Sequence, residues 1–352
     1  MAATPLPSDS WARKDTEPKT GGKGNRRSGE PERSGGSDRL AAGLLRDILI
    51  RPNPGASREG ADLTVVSDNG HMRVIGVDLA WGEGTSRRVA NETGVLAVEL
   101  DGTVVDAGWT CGLPETVEWI ERRSSADTLM MVDAPLVVMN ASGQRICETQ
   151  VGQRYGRWKV SANSTNLNSP RLAGVSLREA LATSEWQYTS GIGGLRPTGG
   201  RHLAEVYPYT TLVGAPELGY DRERPIYKRR PKSVPVGEFR ALRAANCNEL
   251  VRRLGSLVDA DPPIDLRSND VTAALLAERS PLEDKAYKHR EDLIDAVLCA
   301  WTGLLWLAHG LTRCQVLGSD GPGMPPATII APAGDSESFR PPIPIDSGHP
   351  FR

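Results

Sequence analysis

The pattern of apolar and polar residues changes character at Met72. Over residues 73–80 (RVIGVDLA), Val74, Ile75 and Val77 form a near-continuous apolar run, the signature of a strand buried on both faces, and the run closes on a carboxylate, Asp78. Alternating segments at 93–100 and 103–110, joined by Asp101-Gly102, predict an antiparallel meander with the first strand. A helix is expected over 114–123, with Pro114 in its first turn, and an apolar strand over 128–133 that ends on Asp133 before Ala-Pro. Helices are expected at 176–186, 236–257 and 268–278, and a strand at 202–207 that carries Glu205. The last strong element is a helix over 290–309, where Ile294, Val297, Leu298, Trp301 and Leu305 share one side.

Three antiparallel strands, a helix and a further strand open an α/β fold of the ribonuclease H-like kind: a mixed sheet, meander first and parallel strands after, flanked by helices. The domain is expected to span 72–315, with polar insertions at 140–170 and 208–235. Upstream, residues 1–71 hold few large apolar side chains, so a disordered extension is expected, with one short helical segment at 40–50. Met72, immediately before the first strand, is the expected natural start. Residues 316–352 are rich in Pro and Gly and are expected to be a disordered tail.

Composition narrows the function classes. Residues 1–71 hold 11 Lys and Arg against 10 Asp and Glu, so they do not form a basic nucleic-acid arm. The net charge of −2 gives no global attraction to nucleic acid, and the nearest local patch is YKRRPK at 227–232. No apolar run approaches the roughly 20 residues of a membrane span, and no apolar signal core precedes the domain. The 5 cysteines are scattered and odd in number, which points to a reducing cytoplasm.

The chemistry lies in the acids. Asp78 and Asp133 end apolar strands, Asp292 and Asp295 sit three apart in the first turns of the last helix, and Glu205 ends a later strand. Buried acids need a cation, a donor or water. Each has a plain alternative: Asp78 and Asp133 as turn formers, Asp292 and Asp295 as partners of the helix dipole, Glu205 as partner of a neighbouring Arg. Taken together, the order of strand-end Asp, strand-end Asp and Asp-x-x-Asp on an amphipathic helix suggests a site in which Mg²⁺ or Mn²⁺ ions promote phosphodiester hydrolysis by water. Arg145 and Lys228 are candidates to hold phosphates. His202 and His289 lack ligand partners at useful spacing, which argues against zinc. Trp158, in the polar insertion, is a candidate to stack on a base.

The segments GVDLAWG, VDAPL, N-ASGQR-ICE, EVYP, YK and EDLIDAVLCAW, in this order across 73–311, resemble the bacterial and archaeal domain-of-unknown-function family 429. That resemblance implies a ribonuclease H-like fold and nuclease activity, and the acid order is also similar to Holliday-junction resolvases. By resemblance, Asp78, Asp133, Asp292 and Asp295 match metal-binding acids, Glu205 belongs to a motif peculiar to the family, and a resolvase-like activity would call for a homodimer. The leading expectation is a metal-dependent nuclease acting on DNA or RNA. The alternative is a catalytically inactive module that binds nucleic acid or protein. An actin- or sugar-kinase-like ATPase ranks last, because the chain shows no internal repeat.

Overall fold

The meander forms where the alternation predicts it. Strand β1 (Arg73–Asp78) pairs antiparallel with β2 (Glu92–Glu99), and β2 with β3 (Val104–Cys111). Asp101 and Gly102 turn the chain between β2 and β3, Gly102 at φ 88°, a left-handed conformation that costs glycine nothing sterically. The structure, a computed structural model, describes residues 72–81, 90–318 and 326–334. The expected extension, its segment at 40–50 and the ends of the expected tail lie outside those residues.

From β1 onward the sheet is parallel. Helix α1 (Leu113–Arg123) leads to β4 (Thr128–Val132) beside β1. After α2 (Ile146–Tyr155) and α3 (Ala173–Leu181), the short β5 (Trp186–Tyr188) takes the sheet edge and β6 (Arg201–Glu205) pairs between β5 and β4. The strand order is β3-β2-β1-β4-β6-β5. This is the expected mixed α/β architecture, antiparallel first and parallel after. Helices α4 (Pro208–Gly214), α5 (Val236–Gly255), α6 (Asp270–Ala277) and α7 (Asp284–His309) complete it.

Strand alternation sorts the core into two layers. Val74, Leu96, Val98, Leu129 and Met131 face α7, whereas Ile75, Val77, Val95, Met130 and Val132 face α1 and α3. Helix α7 begins two turns before the expected residue 290. Glu283 caps it by accepting from the backbone N–H of Lys285 (3.0 Å) and Ala286 (2.7 Å), and Tyr287 extends the buried face N-terminally. By length and apolarity the stretch Asp284–Thr312 could cross a membrane, a feature that counting continuous apolar runs overlooks. Its most apolar window is 89% buried inside the protein, as befits a core helix.

Two glycines set how near α7 lies to the sheet. A Cβ on Gly76 would stand 2.1 Å from the Ala296 carbonyl oxygen, and one on Gly94 would stand 2.1 Å from that of Asp292. The helix backbone therefore rests directly on the backbones of β1 and β2.

Three expectations need correction. The 140–170 segment is not wholly irregular, since α2 lies within it; Cys147, Val151 and Tyr155 bury a narrow stripe that weak periodicity hid. The helix expected over 176–186 ends at Leu181, and Trp186 starts β5 instead. The folded chain also continues past 315: β7 (Cys314–Leu317) pairs antiparallel with β8 (Ile329–Pro332), inside the stretch expected to be a tail. Ile329, Ile330 and Ala331 are buried, so this short apolar run outweighs its Pro- and Gly-rich surroundings.

Gly94→Ala is expected to force the α7 backbone off β2 and to destabilise the protein by about 1–3 kcal/mol, read as a lower urea midpoint at unchanged slope. An unchanged midpoint would show that the helix can shift without loss.

Candidate functional site

The same alternation that builds the core aims two acids at one point. Gly76 of β1 faces α7, and so does Asp78; Leu129 and Met131 of β4 face α7, and Asp133 continues that side. The Asp133 N–H donates to the Val77 carbonyl at 2.9 Å, so the two carboxylates leave adjacent strand ends side by side. Helix α7 supplies Asp295 opposite them. One carboxylate oxygen from each of Asp78, Asp133 and Asp295 lies within 4.8 Å of the others. Asp292, a turn earlier, is within hydrogen-bonding reach of Asp78. The group sits beyond the carboxyl ends of two parallel strands, where open α/β sheets bind ligands.

These acids are sunken. Asp78 and Asp133 are each 9% exposed, Asp292 is 2% exposed and Asp295 is fully buried. Cations and donors offset the cost of burying them. Tyr227 donates its hydroxyl to Asp295 Oδ1 at 2.8 Å, and the Lys228 ammonium pairs with Oδ2 of the same carboxylate. Lys288 pairs with Asp292, reaches Glu291 at 3.2 Å and lies 4.0 Å from Asp78. The compensation is incomplete. Burial, reinforced by the charge of Asp295, pushes the Asp78 carboxyl well above its usual range. Burial pushes Asp133 up to about 7 and Asp292 up to about 6, against the pull of the neighbouring ammonium groups. The acids in turn hold both lysines in their charged form, more firmly than water would.

Glu205 does not join this group. Its register partner on β4 is Val132, which faces α1 and α3, so the Glu205 side chain leaves the sheet on the opposite side from Asp78 and Asp133. There it meets Arg145, whose guanidinium donates to both of its oxygens, at 2.8 and 2.6 Å. Arg145 also donates Nε to Glu148 at 2.9 Å, and the Leu136 N–H donates to Glu205 at 3.1 Å. With Arg145 only 4% exposed, this buried network fastens the loop after β4 to β6. The structure thus brings Arg145 to Glu205 rather than to the aspartates, while Lys228 stands among them.

A cavity of about 300 Å³ opens over the acids, lined by Asp78, Asp133 and Asp292, by six cations including Lys228 and Lys288, and by Trp81, Tyr207 and Tyr209. Tyr227 is a part of the site that the sequence gives no sign of, whereas Lys288 belongs to the charged run Lys288-His289-Arg290 just before the acidic pair, where the sequence allows either a solvated run or cationic help at the site, and the structure puts it on the acids. A lysine one turn before an Asp on the same helix face was the available signal. Trp158 is instead a core residue, 2% exposed, with its indole N–H on the Asp221 carbonyl at 2.8 Å. His289 stacks on Trp109 at 3.6 Å and His202 bonds the Gly199 carbonyl at 2.8 Å, both apart from the acids.

The chain is therefore a mixed α/β protein with a sunken acidic site at the ends of its central parallel strands. Residues 76–318 match the family described as Protein of unknown function (DUF429), and the chain belongs to that family. No curated protein matches it.

Two outcomes follow from the electrostatics. Asp133 and Asp292 bind their protons more tightly folded than unfolded, so their contribution to stability is complete at low pH and is lost as pH rises from the ordinary 3.8 through about 7. The melting temperature of protein kept in a chelator is expected to fall between about pH 4 and about pH 7, and Asp133→Asn to flatten that fall. Arg145→Met leaves Glu205 and Glu148 buried without their cation, and an unfolding loss of about 3–5 kcal/mol is expected by urea titration.

Proposed function

We propose that this protein is a ribonuclease H-like, metal-dependent phosphodiester hydrolase acting on nucleic acid. The observation that carries the reading is the convergence of Asp78, Asp133 and Asp295, from two neighbouring strand ends and the helix laid across them, with Asp78 and Asp133 lining a cation-rich cavity and Asp295 buried behind them. An all-oxygen, acidic donor set suits a hard divalent ion, Mg²⁺ or Mn²⁺, and offers no soft ligand for zinc. Asp78, Asp133 and Asp295 would hold one ion. Asp78 together with Asp292 is suited to a second. When bound, such ions polarise a phosphoryl oxygen and acidify water.

The chain's own groups supply the rest. Lys288 and Lys228 offer ammonium charge to the phosphoryl oxygens as negative charge builds. Glu205 and Arg145 act at a distance, by fixing the loop that follows Asp133. All five cysteines are unpaired, in keeping with a reducing compartment such as the cytoplasm.

One observation favours the second reading, an inactive module that binds nucleic acid or protein: Lys228 already neutralises Asp295. A divalent ion must compete with it. Calorimetric titration of Mn²⁺ is expected to show binding in the wild type and none in Asp78→Asn with Asp295→Asn, and nuclease activity is expected to vanish with it. Lys228→Met is expected to raise Mn²⁺ affinity by about tenfold, or about 1.4 kcal/mol. A folded wild type that neither binds Mn²⁺ nor cleaves DNA or RNA would leave the binding-module reading in place.

A further inference from the structure

We infer that the cavity admits an unpaired nucleotide, its phosphate lowered to the carboxylate floor and its base held against Trp81 and Tyr207. The inference rests on the hydrolytic reading and names its substrate class. Depth is the first argument. The carboxylates are nine-tenths or more buried beneath a cavity of about 300 Å³, at the small end of the range for ligand sites. A phosphate can reach them only if its own nucleotide enters the cavity. In a duplex that nucleotide is paired and stacked, and drawing it out costs both interactions; an unpaired strand has no such cost.

The walls give the second argument. Trp81 and Tyr207 are half-buried, and each has its polar edge tied down. The Trp81 indole N–H donates to the Asp133 carbonyl at 3.1 Å, and the Tyr207 hydroxyl donates to the Ser161 carbonyl at 3.1 Å. Fixed rings lose little entropy on receiving a base, and the tether holds Trp81 to the backbone of Asp133, in the wall of the same cavity.

Charge is the third. Beyond Lys228 and Lys288, which are committed to the acids, the cavity is lined by Lys159, which pairs with Glu223, by Arg171, Arg224 and Arg229, and by one further acid, Glu92, which is bonded to His289. Arg224 lies over the Tyr209 ring at 4.6 Å and donates Nε to the Lys159 carbonyl at 2.9 Å, which braces this wall. Arg171 is exposed and has no carboxylate partner among the described residues. In a chain of net charge −2, four further cations around one cavity are a local feature. Cations that track a backbone beside aromatic faces are how proteins hold single strands.

The test is fluorescence anisotropy with the full chain in Ca²⁺, using a labelled short single-stranded oligonucleotide, the same sequence as a blunt duplex, and a nucleoside monophosphate as competitor, with Mn²⁺-dependent cleavage of both oligonucleotides run in parallel. The single strand is expected to bind at least about tenfold tighter than the duplex. Tyr207→Ala is expected to weaken it by roughly five- to a hundredfold, with Tyr207→Phe, which keeps the ring and loses only its tether, recovering most but not all of the binding, and the exposed Arg171→Glu to weaken it without a change in melting temperature. Competition by the monophosphate at concentrations similar to the oligonucleotide would support the inference with a free nucleotide as the occupant. Weak competition would support it with a strand. Equal binding and cleavage of duplex and single strand would overturn it while leaving hydrolysis standing. Single-strand binding without any metal-dependent cleavage would support the occupant and overturn the hydrolytic reading. Failure to bind either nucleic acid or monophosphate would overturn the inference.

Discussion

The backbone of α7 lies against the first two strands with no side chain between, and the site depends on that contact. Gly76 and Gly94 leave the space, so the Asp292 and Ala296 carbonyls occupy volume that any Cβ would claim. A helix held a side chain's width further out would carry Asp295 away from Asp78 and Asp133. The apolar stripe of α7 secures the arrangement from within: Leu293, Ile294, Val297, Leu298 and Trp301 are all buried, each aliphatic one stabilising by roughly 1.5–3 kcal/mol. The long core helix thus serves two purposes, filling one face of the sheet and delivering two acids to its end.

That geometry creates an electrostatic problem which the protein meets only in part. Four aspartates share a space that water barely reaches, and two lysines with one tyrosine hydroxyl are set against them. Burial first, and the neighbouring acids after it, hold the Asp78, Asp133 and Asp292 carboxyls above their usual range despite the two lysines. A site built only for stability would be expected to pair its acids fully or to replace them with apolar residues. An excess of acid that further positive charge would relieve is what a cation-binding site requires before it is filled. On the other face, Arg145, Glu148 and Glu205 show the contrasting solution, in which bidentate geometry satisfies the buried carboxylates.

Much of this was legible in the residues. Strand-end acids in β1 and β4, the Asp-Gly turn and the apolar stripe of α7 are local patterns with a fixed period, and the mixed sheet followed from them. Pleat parity could have gone further: Asp78 sits two residues after Gly76, and Asp133 two after Met131, so a shared face was implied once both strands lay in one sheet. Placing Glu205 needed the register of β6 on β4, which is a long-range property. Its partnership with Arg145, 60 residues away, is equally non-local. The β7-β8 hairpin was hidden because Ile329 and Ile330 are an apolar island among Pro and Gly, and only their burial in the folded chain identifies them as a strand. Lys228 read as a phosphate ligand from sequence; its position on Asp295 depends on the path of the chain between α4 and α5.

Asp78, Asp133 and Asp295 are proposed to form one cation site, at which Lys228 is paired with Asp295 in this structure. The most direct measurement is an anomalous difference map from crystals grown with Mn²⁺. The account predicts a peak among those three carboxylates, with the Lys228 ammonium withdrawn from Asp295. A map without a peak there, with Lys228 still seated on Asp295 at saturating Mn²⁺, would contradict it.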